Sequence, residues 1–369
     1  MDRSEHIYRA WLASLNFPYE TLRELMENQG SAGNVYRAMR ECPETLGLSD
    51  KLLRDMRRNA SEAWLDVCQE RMETHHLFTL SLEESGYPEK LRNIADPPVI
   101  LFAQGNMDCL KGHTLAMVGS RAASYDGLRA TRRIARELSR AGVVIISGLA
   151  YGIDAASHEG CLEGESPTVA VLGCGLDQTY PEGNVKLRQR IMEKNGLLLS
   201  EYAPGEKPLG WHFPVRNRII SGLSDAVVMM EAKIRSGSMR TVGHALEQGR
   251  DVFVYPGDPA SPQCEGNHQL LREGGIYFTC AGDILEDMKW LDNRDNVGQN
   301  MACSLPDGCA SAEEKAIALA LVPGGRSFEQ LAEMTGISPQ DLMVSLTMLQ
   351  IRGVIESLPG KCYRLKGKE

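Results

Sequence analysis

The 369-residue sequence predicts an α/β protein. Its centre is a doubly wound, mostly parallel sheet, with a small helical domain before it and a winged-helix-like domain after it. Three observations carry this. Between residues 81 and 290, short apolar runs bounded by glycine alternate with amphipathic helical patterns. Those runs are apolar at every position rather than every second one, as in strands covered by helices on both faces. On either side of this stretch, apolar residues return every three or four positions, the spacing of helices.

Taken in order, residues 1–80 read as helices over 7–15, 19–28, 52–64 and 63–72, a small helical domain. The sheet follows in residues 81–290, with strands expected at 99–102, 115–118, 143–146, 168–172, 197–199, 226–230, 252–255 and 276–278. Helices are expected between them at 128–140, 183–194, 239–248 and 268–273. Residues 291–309 are polar, turn-rich and aperiodic, and read as a linker. The last stretch, 310–369, reads as three helices (312–321, 327–334, 338–352) and a hairpin around 358–360, the order of a winged helix.

Composition narrows the function classes. Hydrophobic residues make up 43% and charged residues 24%, which excludes gross disorder. The 40 basic and 49 acidic side chains leave a net charge of −9, against a histone-like role. Ten cysteines with no C-x-x-C pair fit a reducing compartment rather than a disulfide framework or zinc module. No apolar run is long enough to span a membrane and the first residues do not form a signal peptide, so a cytoplasmic protein is expected.

Chemistry concentrates at the strand-to-loop corners. One strand ends on Gly119-Ser120-Arg121, and another on Ser147-Gly148 with Gly152 and Asp154 following. A third leads to Gly173 and Gly175, and a fourth to Ser236-Gly237-Ser238 before a helix. Glycine lets backbone N–H groups approach a ligand, and a helix N-terminus favours an anion, so the corners imply a phosphate or nucleotide site. Neither the P-loop pattern nor a complete dinucleotide fingerprint is present, so no nucleotide cofactor is expected.

The second signal is local charge. Residues 207–240 hold six basic side chains (Lys207, Arg216, Arg218, Lys233, Arg235, Arg240) against Asp225 and Glu231. Arg216 and Arg218 flank Asn217 close to Phe213. Guanidinium groups fork onto phosphates and an aromatic ring stacks on an unpaired base, the combination a single-stranded nucleic acid requires.

Signals for catalysis are sparse. Asp154 and His158 stand at i, i+4 on a helix and read as a structural pair, while Glu201 and Glu231 are the candidate general bases. The third tail helix carries Met343, Val344, Leu346 and Leu349 with one basic residue, Arg352, at its end. That composition fits protein contact better than groove reading.

The motifs VGSR, SGLAYGIDAASHEG, VAVLGCGLDQTYPEGN, HFPVRNRIISGLSD, EAKIRSGSMRT, ALEQGRDVFVYPG and NHQLLREGG occur in this order. Through them the chain resembles the DNA-processing protein A (DprA, or Smf) family across residues 81–282. The resemblance implies an extended Rossmann-like domain after a SAM/HhH-like helical one. It further implies a nonenzymatic homodimer that binds single-stranded DNA and passes it to the RecA recombinase in natural transformation or recombination. The implied DNA contacts are Arg121, Phe213, Arg216, Asn217, Arg218 and the glycine corners (Gly148, Gly152, Gly173, Gly175, Gly237); Ser120, Ser236 and Ser238 are expected to complete the pocket, with Lys207 and Arg240 as further cations, the latter standing where an apolar residue is more common in the family. The helix carrying His268 and Leu271 is the implied dimer or recombinase contact. Many members carry lysine where this chain has Glu182 and Gly210, leaving Lys186, Lys207 and Arg240 as nearby cations. The alternative from another class is a nucleotide-processing enzyme similar to the lysine decarboxylase-like (LOG) phosphoribohydrolases, whose PGGxGTxxE signature is absent.

Overall fold

Serines start most of the N-terminal helices. In the computed structural model, α1 (Glu5–Ala13) and α2 (Tyr19–Gln29) are followed by α3 (Ala32–Glu41), α4 (Asp50–Arg58) and α5 (Glu62–Thr74). The side chains of Ser31, Ser49 and Ser61 accept hydrogen bonds from the first turns of α3, α4 and α5. The cap at Ser61 explains a difference from expectation: the helix expected to run from 52 to 64 ends at Arg58 and restarts after Ser61. Helix α3 was not expected, because its Gly33 and short apolar set (Val35, Tyr36, Met39) mask the period.

The structure describes residues 3–290, 311–321, 326–358 and 362–365. They divide into two compact units, Met1–Met288 and Lys289–Glu369. The expected linker, 291–309, lies outside the described residues.

In the first unit the strands β1 (Phe78–Ser81), β2 (Ile100–Gly105), β3 (Thr114–Val118), β4 (Val144–Ser147) and β5 (Thr168–Leu172) are followed by β6 (Leu197–Ser200), β7 (Ala226–Met229), β8 (Asp251–Val254) and β9 (Ile276–Tyr277). They form one nine-stranded sheet in the order β1-β2-β6-β5-β4-β3-β7-β8-β9. From β6 to β9 all neighbours are parallel, while β2 runs antiparallel to β6 and β1 to β2. Every residue of β3, β4, β5, β6 and β7 is buried, as their continuous apolar runs predict. Strand β1 was missed because its four residues, FTLS, are only alternately buried and adjoin a helical stretch.

The connections are α6 (Glu89–Arg92), α7 (Tyr125–Arg140), α8 (Ile153–Glu163), α9 (Val185–Glu193), α10 (His212–Gly222), α11 (Gly237–Glu247), α12 (Glu265–Arg272) and α13 (Ala281–Asp287). Chain order runs outward from β3 through β4 and β5 to β6, then jumps back to β7 on the other side of β3. That reversal opens a crevice at the carboxyl ends of β3 and β7, where ligands of such sheets bind.

The N-terminal helices share a core with the sheet: Trp11, Leu12 and Met39 belong to the same apolar cluster as Phe102, Ala170, Leu172 and Leu198. Polar ties reinforce it. Arg9 is buried and donates to Glu84 from both terminal nitrogens, and Arg71 Nη1 donates to the Pro204 carbonyl at 3.0 Å. No described helix is long and apolar enough to cross a membrane.

The second unit contains α14 (Ala312–Leu321), β10 (Arg326–Ser327), α15 (Phe328–Thr335), α16 (Pro339–Ile351), β11 (Ile355–Leu358) and β12 (Cys362–Leu365). Strands β11 and β12 pair antiparallel with Leu358 opposite Cys362, the expected hairpin. Leu331, Leu342, Leu346, Leu349 and Ile355 form its core, giving a winged helix.

Candidate nucleic-acid interface

The crevice between β3 and β7 holds a cavity of about 610 Å³. Its wall joins the loop after β3 (Gly119 to Ala122), the start of α10 with Phe213, Arg216 and Asn217, and the loop after β7 with Lys233 and Ser236 to Ser238. Asp154, Tyr180, Gly210 and Gln263 complete much of the rim. Three cations, Arg121, Arg216 and Lys233, face one carboxylate, Asp154, among the described lining residues. An anion is favoured there.

Phe213 is the centre of the site. Tyr180 lies against its ring at 5.2 Å between centroids, and the guanidiniums of Arg121 and Arg216 lie 5.3 and 5.8 Å from its centroid. Gly173 makes room for it, since a Cβ there would stand 3.0 Å from the ring. A flat ring flanked by cations is the kind of surface on which a base can stack while its phosphate is held.

Arg216 is only 3% exposed, yet it lines the cavity. Its Nη1 donates to the carbonyls of Gly148, at 2.9 Å, and Val171. Burial draws its pKa below the ordinary arginine value; Asp154 opposes that shift and Arg121 adds to it. Burial likewise raises Asp154, whose Oδ2 accepts N–H bonds from Gly148 and Ala150 at 3.2 and 3.4 Å. Gly148 permits this packing because a Cβ would fall 2.7 Å from Arg216 Nη2. The fold thus holds a desolvated positive charge at the cavity floor.

The start of α11 borders the cavity. Its N-cap, Ser236, accepts from no backbone N–H of the first turn and instead pairs with the Ser238 hydroxyl at 2.7 Å. The first turn carries no acidic residue, so the N-terminus of α11 opens onto the cavity at Gly237 and Ser238.

The expected residues are not all brought together. Ser120, Arg121, Phe213, Arg216, Asn217, Ser236, Gly237 and Ser238 line the cavity, and Gly148 lines a smaller adjoining hollow with Tyr151 and Tyr180. Arg218 does not line it. On α10 it points the other way, donating through Nη2 to Glu201 at 2.7 Å and through Nε to Asp96 at 2.9 Å. Burial works against its charge, but Glu201 and then Asp96 outweigh that and raise its pKa. Gly152, Gly173 and Gly175 serve packing instead of contact. Gly152 has φ +76 and its Cβ would strike the Ser120 carbonyl, while Gly175 lies against the Ala203 carbonyl. Lys207, Arg240 and Lys186 are exposed and stand outside the cavity lining. His268 and Leu271 are half-buried on α12, where His268 Nε2 lies 3.0 Å from the Pro256 carbonyl.

Sequence reading missed Tyr180 and Lys233 as site residues. The available signals were an aromatic within the polar loop after β5 and a lysine between β7 and the Ser-Gly-Ser corner.

The catalytic candidates are committed elsewhere. Glu231 accepts from the backbone and hydroxyl of Ser124, and Glu201 is taken by Arg218. His158 bonds Thr168 at 2.7 Å rather than Asp154, which corrects the expected structural pair. The helical spacing allowed that pair, but Asp154 turns to the Gly148 corner.

Comparison with known proteins identifies the family. The profile of the DNA recombination-mediator protein A family matches residues 78–289, and that of the DprA winged helix domain matches residues 305–361. DNA processing protein DprA of Streptococcus pneumoniae is 44% identical over 212 residues, 58% of this chain and 74% of that protein. Protein Smf of Escherichia coli is 36% identical over 310 residues, 81% of this chain and 80% of that one. The X-ray structure of the pneumococcal protein superposes with a TM-score of 0.66 at 35% identity, covering 78% of this chain and 99% of that chain. The Helicobacter pylori DNA processing protein A, whose structure describes a single-stranded DNA binding mode, superposes with a TM-score of 0.53 at 31% identity, covering 58% of this chain and 95% of that one. Residues 78–289, which build the sheet and its cavity, place the chain in the DNA recombination-mediator protein A family.

Proposed function

We propose that this protein binds single-stranded DNA in the crevice between β3 and β7 and acts as a recombination mediator rather than an enzyme. The observation that carries it is Phe213, set between Tyr180, Arg121 and Arg216 beside the open N-terminus of α11. A base stacks on the ring while its phosphates meet Arg121, Lys233 and the amides of Gly237 and Ser238. Duplex DNA keeps its bases stacked on each other and cannot use Phe213, so single strands are preferred.

In this reading the bound strand is protected and handed to a RecA-type recombinase during transformation or recombination, in the cytoplasm. A homodimer presents two cavities to one strand and raises the effective concentration of DNA at the second. Helix α12, with His268 and Leu271 beside the edge strand β9, is the proposed contact for the second copy or the recombinase.

Fluorescence titration of the full chain with oligo-dT and with a duplex of equal length tests the reading. Tight binding of oligo-dT, weaker binding of duplex and loss of affinity in Arg121→Ala support it. Equal binding of both, or release of free base on incubation with AMP or GMP, overturns it.

A further inference from the structure

We infer that Trp211 is a second base-stacking platform, placed where a single strand leaves the cavity. This rests on the proposed DNA site and names a residue that extends it.

Trp211 immediately precedes α10 and is 60% exposed, whereas Trp11 is fully buried. Leu209 and Val215 are 40% and 39% exposed, and Val215 follows Trp211 by one helical turn, on the same face. A single exposed apolar side chain needs no explanation, but three within one short segment, one of them a tryptophan, do.

The ring is also braced. His212 meets it edge-on at 4.1 Å and 76°. His212 is itself fixed, with Nδ1 3.1 Å from the Gly173 carbonyl and its ring stacked on Tyr202 at 3.8 Å. A large aromatic surface is therefore held against a buried support and left open to solvent. Little side-chain freedom remains to be lost when a base covers it.

Position decides what covers it. Gly210 and Pro214, the residues before Trp211 and one turn after it, line the cavity rim. Phe213 faces inward with Arg216, Asn217 and Ile220, all of which line the cavity at helical spacing. Trp211 lies on the adjoining outer face. A strand whose base sits on Phe213 crosses the Gly210–Pro214 rim and meets Trp211 with its next exposed base. The recognition is stacking alone, so it is tolerant of sequence.

The test uses the full chain with dT20, comparing wild type, Trp211→Phe and Trp211→Ala. Saturation with dT20 is expected to quench the emission that wild type has and Trp211→Phe lacks. Trp211→Ala is expected to weaken dT20 binding about tenfold, with Trp211→Phe restoring most of it. The slope of affinity against salt should stay at the wild-type value in both variants, because no charge is removed. Unchanged Trp211 emission at saturation, or Trp211→Ala affinity equal to wild type, overturns the inference while leaving the cavity reading intact; the patch then fits a protein partner. Failure of wild type to bind dT20 overturns the cavity reading itself.

Discussion

Replacing Arg218 by alanine is expected to destabilise the fold without changing how DNA binding depends on salt, whereas Arg121→Ala should do the reverse. The Arg218 side chain is 6% exposed and holds Glu201, 24% exposed, at 2.7 Å and Asp96, 55% exposed, at 2.9 Å. Removing one partner of a fully buried pair costs ~3–5 kcal/mol because the other charge stays buried and unpaired. Here both carboxylates left behind reach solvent, so the loss falls below that range, about 2 kcal/mol. Arg121 is exposed and lies over Phe213 at the cavity mouth. Its removal should change stability by less than about 0.5 kcal/mol. It should flatten the slope of log affinity against log salt by ~0.7, one phosphate contact on a single strand. Urea unfolding followed by circular dichroism reads the first quantity, and oligo-dT titration from low to moderate salt reads the second. An Arg218→Ala protein with the wild-type unfolding midpoint and a slope flattened by one contact would refute the assignment, because it would put Arg218 on a phosphate.

Two further perturbations test the scaffold. Gly152→Ala should cost ~1–3 kcal/mol, since φ +76 strains an L-residue and the new Cβ meets the Ser120 carbonyl; Gly237→Ala, in open space, should leave the unfolding free energy from urea titration within about 0.5 kcal/mol of wild type. His158 supplies a pH dependence. The Thr168 hydroxyl donates to the Ile145 carbonyl, so it accepts from His158 Nδ1, and Nε2 is buried without a partner among the described residues. Burial first, then Arg216, pushes the imidazole down to about 3 from 6.5. A lowered pKa means the neutral form stabilises the fold above pH 6.5, and that contribution is lost as pH falls from 6.5 toward 3. Unfolding free energies of wild type and His158→Gln should therefore diverge in slope by about 1.4 kcal/mol per pH unit below 6.5; parallel curves would show that His158 does not titrate this way.

Much of the sheet was legible because period and burial are one fact seen twice. A run such as Leu115-Ala116-Met117-Val118 can satisfy no solvent face, so it had to become an interior strand. The same holds for the Ser-Gly-Ser corner: glycine and small hydroxyls ahead of a helix leave amides open wherever the loop is placed. Strand β1 and helix α3 were not legible, because their identity depends on neighbours. FTLS becomes a strand by pairing with β2 at the sheet edge.

By itself, the sequence determined the fold class, the order of its parts and the clustering of cations and glycines at the strand-to-loop corners. Those follow from local periodicity and from conformations that only certain residues adopt. Tertiary structure alone decided which cations face the cavity. Arg216 and Arg218 are two residues apart on α10, and on a helix that separation turns them to different sides. One reaches the cavity floor, and the other reaches Glu201 and Asp96. Likewise, Gly148 and Gly152 look alike in sequence. The first borders the hollow beside Phe213, and the second only lets α8 pack beneath the Ser120 carbonyl. Which charge faces the cavity depends on what the rest of the chain folds against it, and no local pattern contains that information.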